Sequence, residues 1–181
     1  MARENPQRIL VLFSMAGLIA YGGLLLEHVA TGVGGADSSG YANTARDLLA
    51  GRVVVPVEAL DRLELPERFA PAFRPLAYEP GPRPKTMVPL YPPGFPLHIA
   101  FAALIAGWDA GPFVVSPVLA ILCVVLTYFL ARELSLSRPL AFSAASILAA
   151  CPVFLFQAVQ PMNDVAAATW CVAAVLFALR S

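Results

Sequence analysis

Nineteen consecutive residues, Phe113 to Ala131 (FVVSPVLAILCVVLTYFLA), carry no charge, and no other feature limits so strongly what this chain can fold into. Wound as a helix they reach about 28 Å at roughly 1.5 Å per residue, near the thickness of a bilayer's hydrocarbon layer. Three more runs share that character. Ile9 to Leu26 is 18 residues without a charge, Leu140 to Val159 is uncharged with Gln157 inside it, and Val165 to Leu179 is a shorter uncharged run. The composition points the same way, since 59% of the 181 residues are apolar and 13% charged, against roughly 25% charged in a soluble domain. The expected fold is therefore all-α and polytopic, with four crossings at about 9–26, 113–131, 140–159 and 162–180 and a large outer loop over 27–111. A cleaved signal peptide is the competing account of the first run, but an h-region is usually about 7 to 15 residues.

Charge excludes some functions and suggests an orientation. Twelve Lys plus Arg balance twelve Asp plus Glu, which removes the basic excess of a nucleic-acid binder. Cys123, Cys151 and Cys171 are odd in number and far apart in apolar runs, so they form neither a disulfide framework nor a metal site. Arg3, Arg8, Arg132, Arg138 and Arg180, the basic residues of the short segments, all fall on one side of a four-crossing chain. The positive-inside rule makes that side the cytoplasm, so the expected location is the cytoplasmic (inner) membrane, multi-pass, with the loop periplasmic or extracellular. Phe95 to Ala106 is apolar but too short to span, and is expected to lie at the outer membrane face.

The loop holds most of the chemistry. Eleven of the seventeen prolines fall between Pro56 and Pro96, which predicts an extended, stiff path there rather than a packed domain. Ahead of it, Asp37 to Gly51 carries Tyr41, Ala45, Leu48 and Leu49 at helical spacing and closes on glycine, so a short amphipathic helix is expected. Asp37 heads that helix, where the dipole favours an ionised carboxylate able to take a proton, although an N-cap role would account for it as well. Asp164, at the start of the last apolar run, is an ionisable group at a membrane boundary with the same two explanations. Arg74, Arg83 and Lys85 stand near Tyr91-Pro92-Pro93-Gly94-Phe95-Pro96-Leu97 and could meet a lipid phosphate, or could be solvated loop charges. Tyr78, Tyr91 and Trp108 suit an interfacial belt. His28 and His98 have no ligand-spaced partner, the carboxylates form no recognisable cluster, and no GxGxxG, P-loop, HExxH or GxSxG arrangement occurs.

The order of these pieces resembles the N-terminal part of the membrane-integral GT-C glycosyltransferases, the family of dolichyl-phosphate-mannose protein mannosyltransferases and the bacterial aminoarabinose transferase. The likeness rests on Asp37 followed by Tyr41, Ala45, Leu48 and Gly51, on Tyr91 to Leu97, on the Arg132/Arg138 hairpin, and on Asn163-Asp164-Val165-Ala166-Ala167-Ala168. It covers essentially all of 1–181 and implies an inverting transferase using a polyprenyl-phosphate-linked sugar, with no cofactor or metal. The acceptor would be a hydroxyl group on a lipid, glycan or protein, within a membrane lipid setting. Asp37 would be the catalytic base, with Asp164, Tyr41, Arg83, Lys85 and Tyr91 contacting substrate. Such enzymes have roughly ten or more helices, so a fragment or truncated product, inactive alone, is expected. The competing class is a non-enzymatic multi-pass scaffold or transporter fragment. A transporter would ordinarily place polar or broken helices at midplane.

Overall fold

The computed structural model describes residues 6–181, with side chains from residue 12; Arg3 and the side chain of Arg8, which enter the expected orientation, lie outside the described residues. In chain order the elements are α1 (Pro6–Glu27), α2 (Gly35–Leu49), β1 (Val55–Pro56), α3 (Glu58–Arg62), a single 3₁₀ turn (Glu67–Phe69) and α4 (Ala70–Phe73). After them come β2 (Tyr78–Pro80), β3 (Thr86–Pro89), α5 (Gly94–Ala106), α6 (Gly111–Glu133), α7 (Arg138–Ala149), α8 (Pro152–Ala158) and α9 (Asn163–Ala178). They divide into two compact units, one of residues up to Ala30 with Ser116–Ser181, the other of Thr31–Val115.

The four-crossing, polytopic fold class is not upheld. Among the described residues one helix is long and apolar enough to cross a membrane: α6, 23 residues long, with an 18-residue stretch at a mean hydropathy of 2.6. The run 140–159 is not one rod, because α7 and α8 meet at a bend of 61°. Pro152 is the cause. It can open a helix but cannot continue one, and it restricts Cys151 before it to an extended conformation, seen as ψ 120. The last run is confined to the 16 residues of α9, about 24 Å at roughly 1.5 Å per residue. α1 runs over the 22 residues Pro6–Glu27, with side chains described for the apolar stretch Leu12–Glu27. An uncharged stretch of sequence is thus not the same as an unbroken helix.

Within the helical unit, small and hydroxyl side chains set the contacts. Gly22 of α1 faces Ile121 so closely that a Cβ would sit 3.2 Å from its terminal carbon. Thr169 of α9 is fully buried and donates toward the Leu119 carbonyl of α6 at 3.0 Å and its own Val165 carbonyl at 2.7 Å. At the far ends of the same two helices, Arg180 Nε meets Glu133 at 2.8 Å. α6 and α9 therefore run parallel, with Asp164 at the Ser116 end, where the Ser116 hydroxyl approaches the Met162 carbonyl at 3.4 Å.

The Thr31–Val115 unit corrects two expectations at once: the fold is not purely helical, and the proline-rich half is not a bare extended path. An antiparallel sheet in the order β1-β3-β2 pairs Val55 with Met87 and Tyr78 with Pro89. Its strands are two to four residues long, and prolines at strand ends and edges cost few ladder bonds. α2 packs on α5, which buries Phe95, Ile99, Ala100 and Ala103. The partners on α2 are small, Ala42 at 3% and Ala45 at 0% exposure, so the two helices approach closely.

The β2–β3 hairpin is tied to α2 at both of its ends. Tyr78, at the start of β2, donates its O–H to Asp47 Oδ2 at 2.7 Å, and Tyr91, two residues past β3, donates to Asp37 Oδ1. Between them Gly40 faces Ala77, where a Cβ would lie 2.3 Å away. Asp47 is 7% exposed and sits at the helix end where a negative charge is disfavoured, which Tyr78 and an ion pair to Arg52 at 3.0 Å offset. Replacing Tyr78 with Phe leaves that buried carboxylate short of one donor. The expected loss is about 1.5–3 kcal/mol, read as a lowered unfolding midpoint in detergent solution; an unchanged midpoint would show that the hairpin is held by packing alone.

Candidate active site

The sequence around Asp37 folds as it does because glycine precedes it. Gly34 is extended, Gly35 takes φ +73, and the helix begins at once, so Asp37 stands inside the first turn. It does not cap. The N-cap is Gly34, with no side-chain capping bond, and the capping account of Asp37 falls with that observation. Its carboxylate instead accepts the Tyr91 hydroxyl through Oδ1, while Oδ2 has no hydrogen-bond partner among the described residues.

Tyr91 reaches it by lying on glycine. A Cβ at Gly40, one turn along α2 from Asp37, would come within 3.2 Å of the Tyr91 ring. The Leu90 amide donates to the Ala77 carbonyl at 2.9 Å and fixes the chain just before the ring. Tyr41 then packs against Tyr91 with ring centroids 4.9 Å apart, and edge-on against Phe95 at 5.2 Å. Asp37, Tyr41 and Tyr91 are all half-buried. Three of the six expected residues are thus one cluster: a carboxylate with one oxygen held, beside two aromatic faces. The bond to the Asp37 carboxylate, aided by desolvation, raises the Tyr91 phenol above its ordinary 10.0.

Arg83 and Lys85 come together elsewhere. They line a cavity of about 410 Å³ with Arg68, Arg74 and Glu67, and none of Asp37, Tyr41 or Tyr91 lines it. Lys85 already has a partner, donating from Nζ to Asp61 Oδ1 at 2.9 Å. Asp164 is exposed in the first turn of α9, after an N-cap at Met162 with no side-chain capping bond, and so it does not cap either. It belongs to the helical unit and Asp37 to the other.

No family model, curated protein or solved structure matches the chain. What the site can do therefore has to follow from its own chemistry. Among the described residues, no group of three or more His, Cys, Asp or Glu could hold a metal ion. Each histidine ring approaches a backbone carbonyl one turn earlier, His28 at Leu24 and His98 at Gly94.

Sequence reasoning missed Asp47, Arg52 and Arg68. Asp47 did leave a signal: a carboxylate in a helix's last turn opposes the dipole, three residues past Thr44, and so calls for a donor. Its partner Tyr78 is 31 residues distant and carried no mark of the pairing.

The Asp37–Tyr91 bond has a measurable signature. Because the phenol is raised in the folded chain, the stability it contributes is present below pH 10.0 and is lost as pH rises through the shifted value. Ultraviolet titration of the tyrosines should show one phenolate forming at lower pH in Asp37→Asn than in the unaltered protein. Superimposable titration curves would mean the bond does not form in solution.

Proposed function

We propose that this chain is part of a membrane-attached, inverting glycosyltransferase that takes its sugar from a polyprenyl-phosphate donor, with Asp37 as the base. The acceptor is a hydroxyl on a lipid, glycan or protein, met at the outer face of the cytoplasmic membrane. The observation that carries the proposal is the division of labour within one carboxylate: Tyr91 holds Oδ1 while Oδ2 is open. A base held in one orientation and left one free lone-pair edge is what proton removal from an acceptor requires.

The chemistry balances with that one group. Asp37 Oδ2 takes the acceptor's proton as the acceptor oxygen forms its bond to the anomeric carbon; the bond from that carbon to phosphate oxygen breaks, and polyprenyl phosphate leaves with the electron pair. A phosphate is stable as the departing anion, so no partner acid is needed. Attack opposite the leaving group inverts the configuration. Tyr41 and Tyr91 offer ring faces to the apolar face of a sugar. Asp164, in the helical unit, matches the second acidic position that the GT-C likeness implies.

Membrane attachment is supported by α6, and α5 adds a surface suited to lying on lipid. Leu97, Phe101, Leu104 and Ile105 recur at helical spacing and are 53 to 72% exposed on the side away from α2. An apolar stripe of this kind settles into the headgroup boundary.

The test is transfer of labelled sugar from a polyprenyl-phosphate donor in membranes carrying the whole protein. Asp37→Asn is expected to cut turnover by about 10²–10⁴-fold with insertion and expression unchanged, and the product of the unaltered enzyme should have the anomeric configuration opposite to the donor's. Turnover near normal in Asp37→Asn would remove the carboxylate from the chemistry and favour the scaffold class, in which the Asp37–Tyr91 bond is only a brace.

A further inference from the structure

The cavity lined by Arg83 and Lys85 has a charge balance that the transfer chemistry does not use. Four cations, Arg68, Arg74, Arg83 and Lys85, face it against one carboxylate, Glu67. Elsewhere five arginines have partners: Arg52 pairs with Asp47, Arg62 with Glu58, Arg180 with Glu133, Arg132 bonds the Leu136 carbonyl, and Arg46 lies over Trp108. The guanidinium groups of Arg74 and Arg83 have no hydrogen-bond or ion-pair partner among the described residues, and that of Arg68 touches only the ring of Phe69, 5.1 Å from its centroid.

The wall that carries them is built rather than floppy. Gly81 sits where a Cβ would be 2.2 Å from the Thr86 hydroxyl, and its amide donates to the Thr86 carbonyl at 2.8 Å. The Thr86 hydroxyl in turn donates to the Arg83 carbonyl at 2.6 Å. Lys85 is held at φ +52, a conformation that side chains rarely adopt, and the Val57 amide bonds its carbonyl at 2.8 Å. An unpaired guanidinium fork on this hydrogen-bonded turn, a second from Arg74 lining the same cavity and the Lys85 ammonium beside them match the oxygens of a tetrahedral anion better than they match water.

We infer that this cavity is a phosphate-binding site, separate from the Asp37 cluster, in which Arg74 and Arg83 make the forked contacts and Arg68 and Lys85 supply further charge. It goes beyond the transfer proposal, since nothing in it uses Asp37. The ligand is a phosphate group, carried either on a lipid headgroup or on a soluble molecule.

Calorimetric titration of the whole chain in detergent with inorganic phosphate, and flotation with phosphatidylcholine vesicles doped with phosphatidic acid, separate the two sources. Saturable binding of inorganic phosphate that weakens at least about tenfold in the Arg74→Ala/Arg83→Ala double variant supports the site with a soluble ligand. Vesicle binding that needs phosphatidic acid, fails with oleic acid at matched surface charge and is lost in the same variant supports it with a headgroup. The Arg74→Lys/Arg83→Lys variant, which keeps the charge and the fold, should retain part of the binding, and Arg62→Ala, outside the cavity, should retain all of it. No binding in either format, equal binding to oleic acid vesicles, or equal weakening by Arg62→Ala would overturn the inference. A chain that binds phosphate but transfers no sugar, or the reverse, shows which of the two proposals has failed.

Discussion

The close approach that small residues permit along α2 is what the Thr31–Val115 unit depends on. Gly40 admits both Ala77 and the Tyr91 ring, and Ala42 and Ala45 are buried with almost no surface left. Near the C-terminal end of α5 the same device recurs, for a Cβ on Gly111 would fall 2.6 Å from the Ala103 backbone. Larger side chains at these positions would push the hairpin and α5 away from the helix, and the Tyr91 hydroxyl would no longer reach its carboxylate. Apolar burial provides the drive, through Phe95, Ile99 and Leu60, but it is non-directional. The glycines and alanines decide the geometry into which that drive settles.

Two aspartates on one helix then receive opposite fates from similar partners. Asp47 and Asp37 each accept a tyrosine hydroxyl, from residues flanking the same hairpin. Asp47 lies at the unfavourable end of the dipole, is buried, and has Arg52 as well; each of its oxygens has a partner, and it is a structural group. Desolvation and the bond to Asp47 push the Tyr78 phenol well above its usual value, so this link stays protonated and intact across any physiological pH. Asp37 lies at the favourable end, is half-buried, and keeps an oxygen open. The difference between a brace and a candidate base here is one ion pair and the direction of a helix.

How far these outcomes could be foreseen differs by element, for identifiable reasons. α2 and α5 were legible because glycine or proline brackets each and apolar residues recur at helical spacing between. The long uncharged run of α6 was legible for the same reason that it constrains the chain. The span count was not, since charge-free composition is blind to Pro152, which breaks the run 140–159 that hydropathy alone would join. The sheet was hidden because strands of two to four residues, several ending in proline, have no periodicity of their own and exist through pairing with distant segments. Of the site residues, the Asp37, Tyr41 and Tyr91 cluster combines a local helix with a ring 54 positions away in the Asp37 contact. The likeness that suggested both residues gave no indication of the hydrogen bond between them. The cavity is the converse: Arg74, Arg83 and Lys85 are visible as charges near a motif, but their common cavity, with Arg68 in its lining, is not.

The choice of a phenol to hold Asp37 matters for whatever that carboxylate does. An arginine in the place of Tyr91 would engage both oxygens in a fork, as guanidinium groups do with carboxylates, and would leave no edge for a second proton donor. A tyrosine makes one bond. A phenol carries its proton at neutral pH in any case and the bond raises it further, so the ring remains a donor to Oδ1. The ring also supplies a flat apolar wall at the same point, continuous with Tyr41 and Phe95. One side chain therefore fixes the orientation of the carboxylate, preserves its capacity to accept, and shapes the surface against which a second molecule would lie.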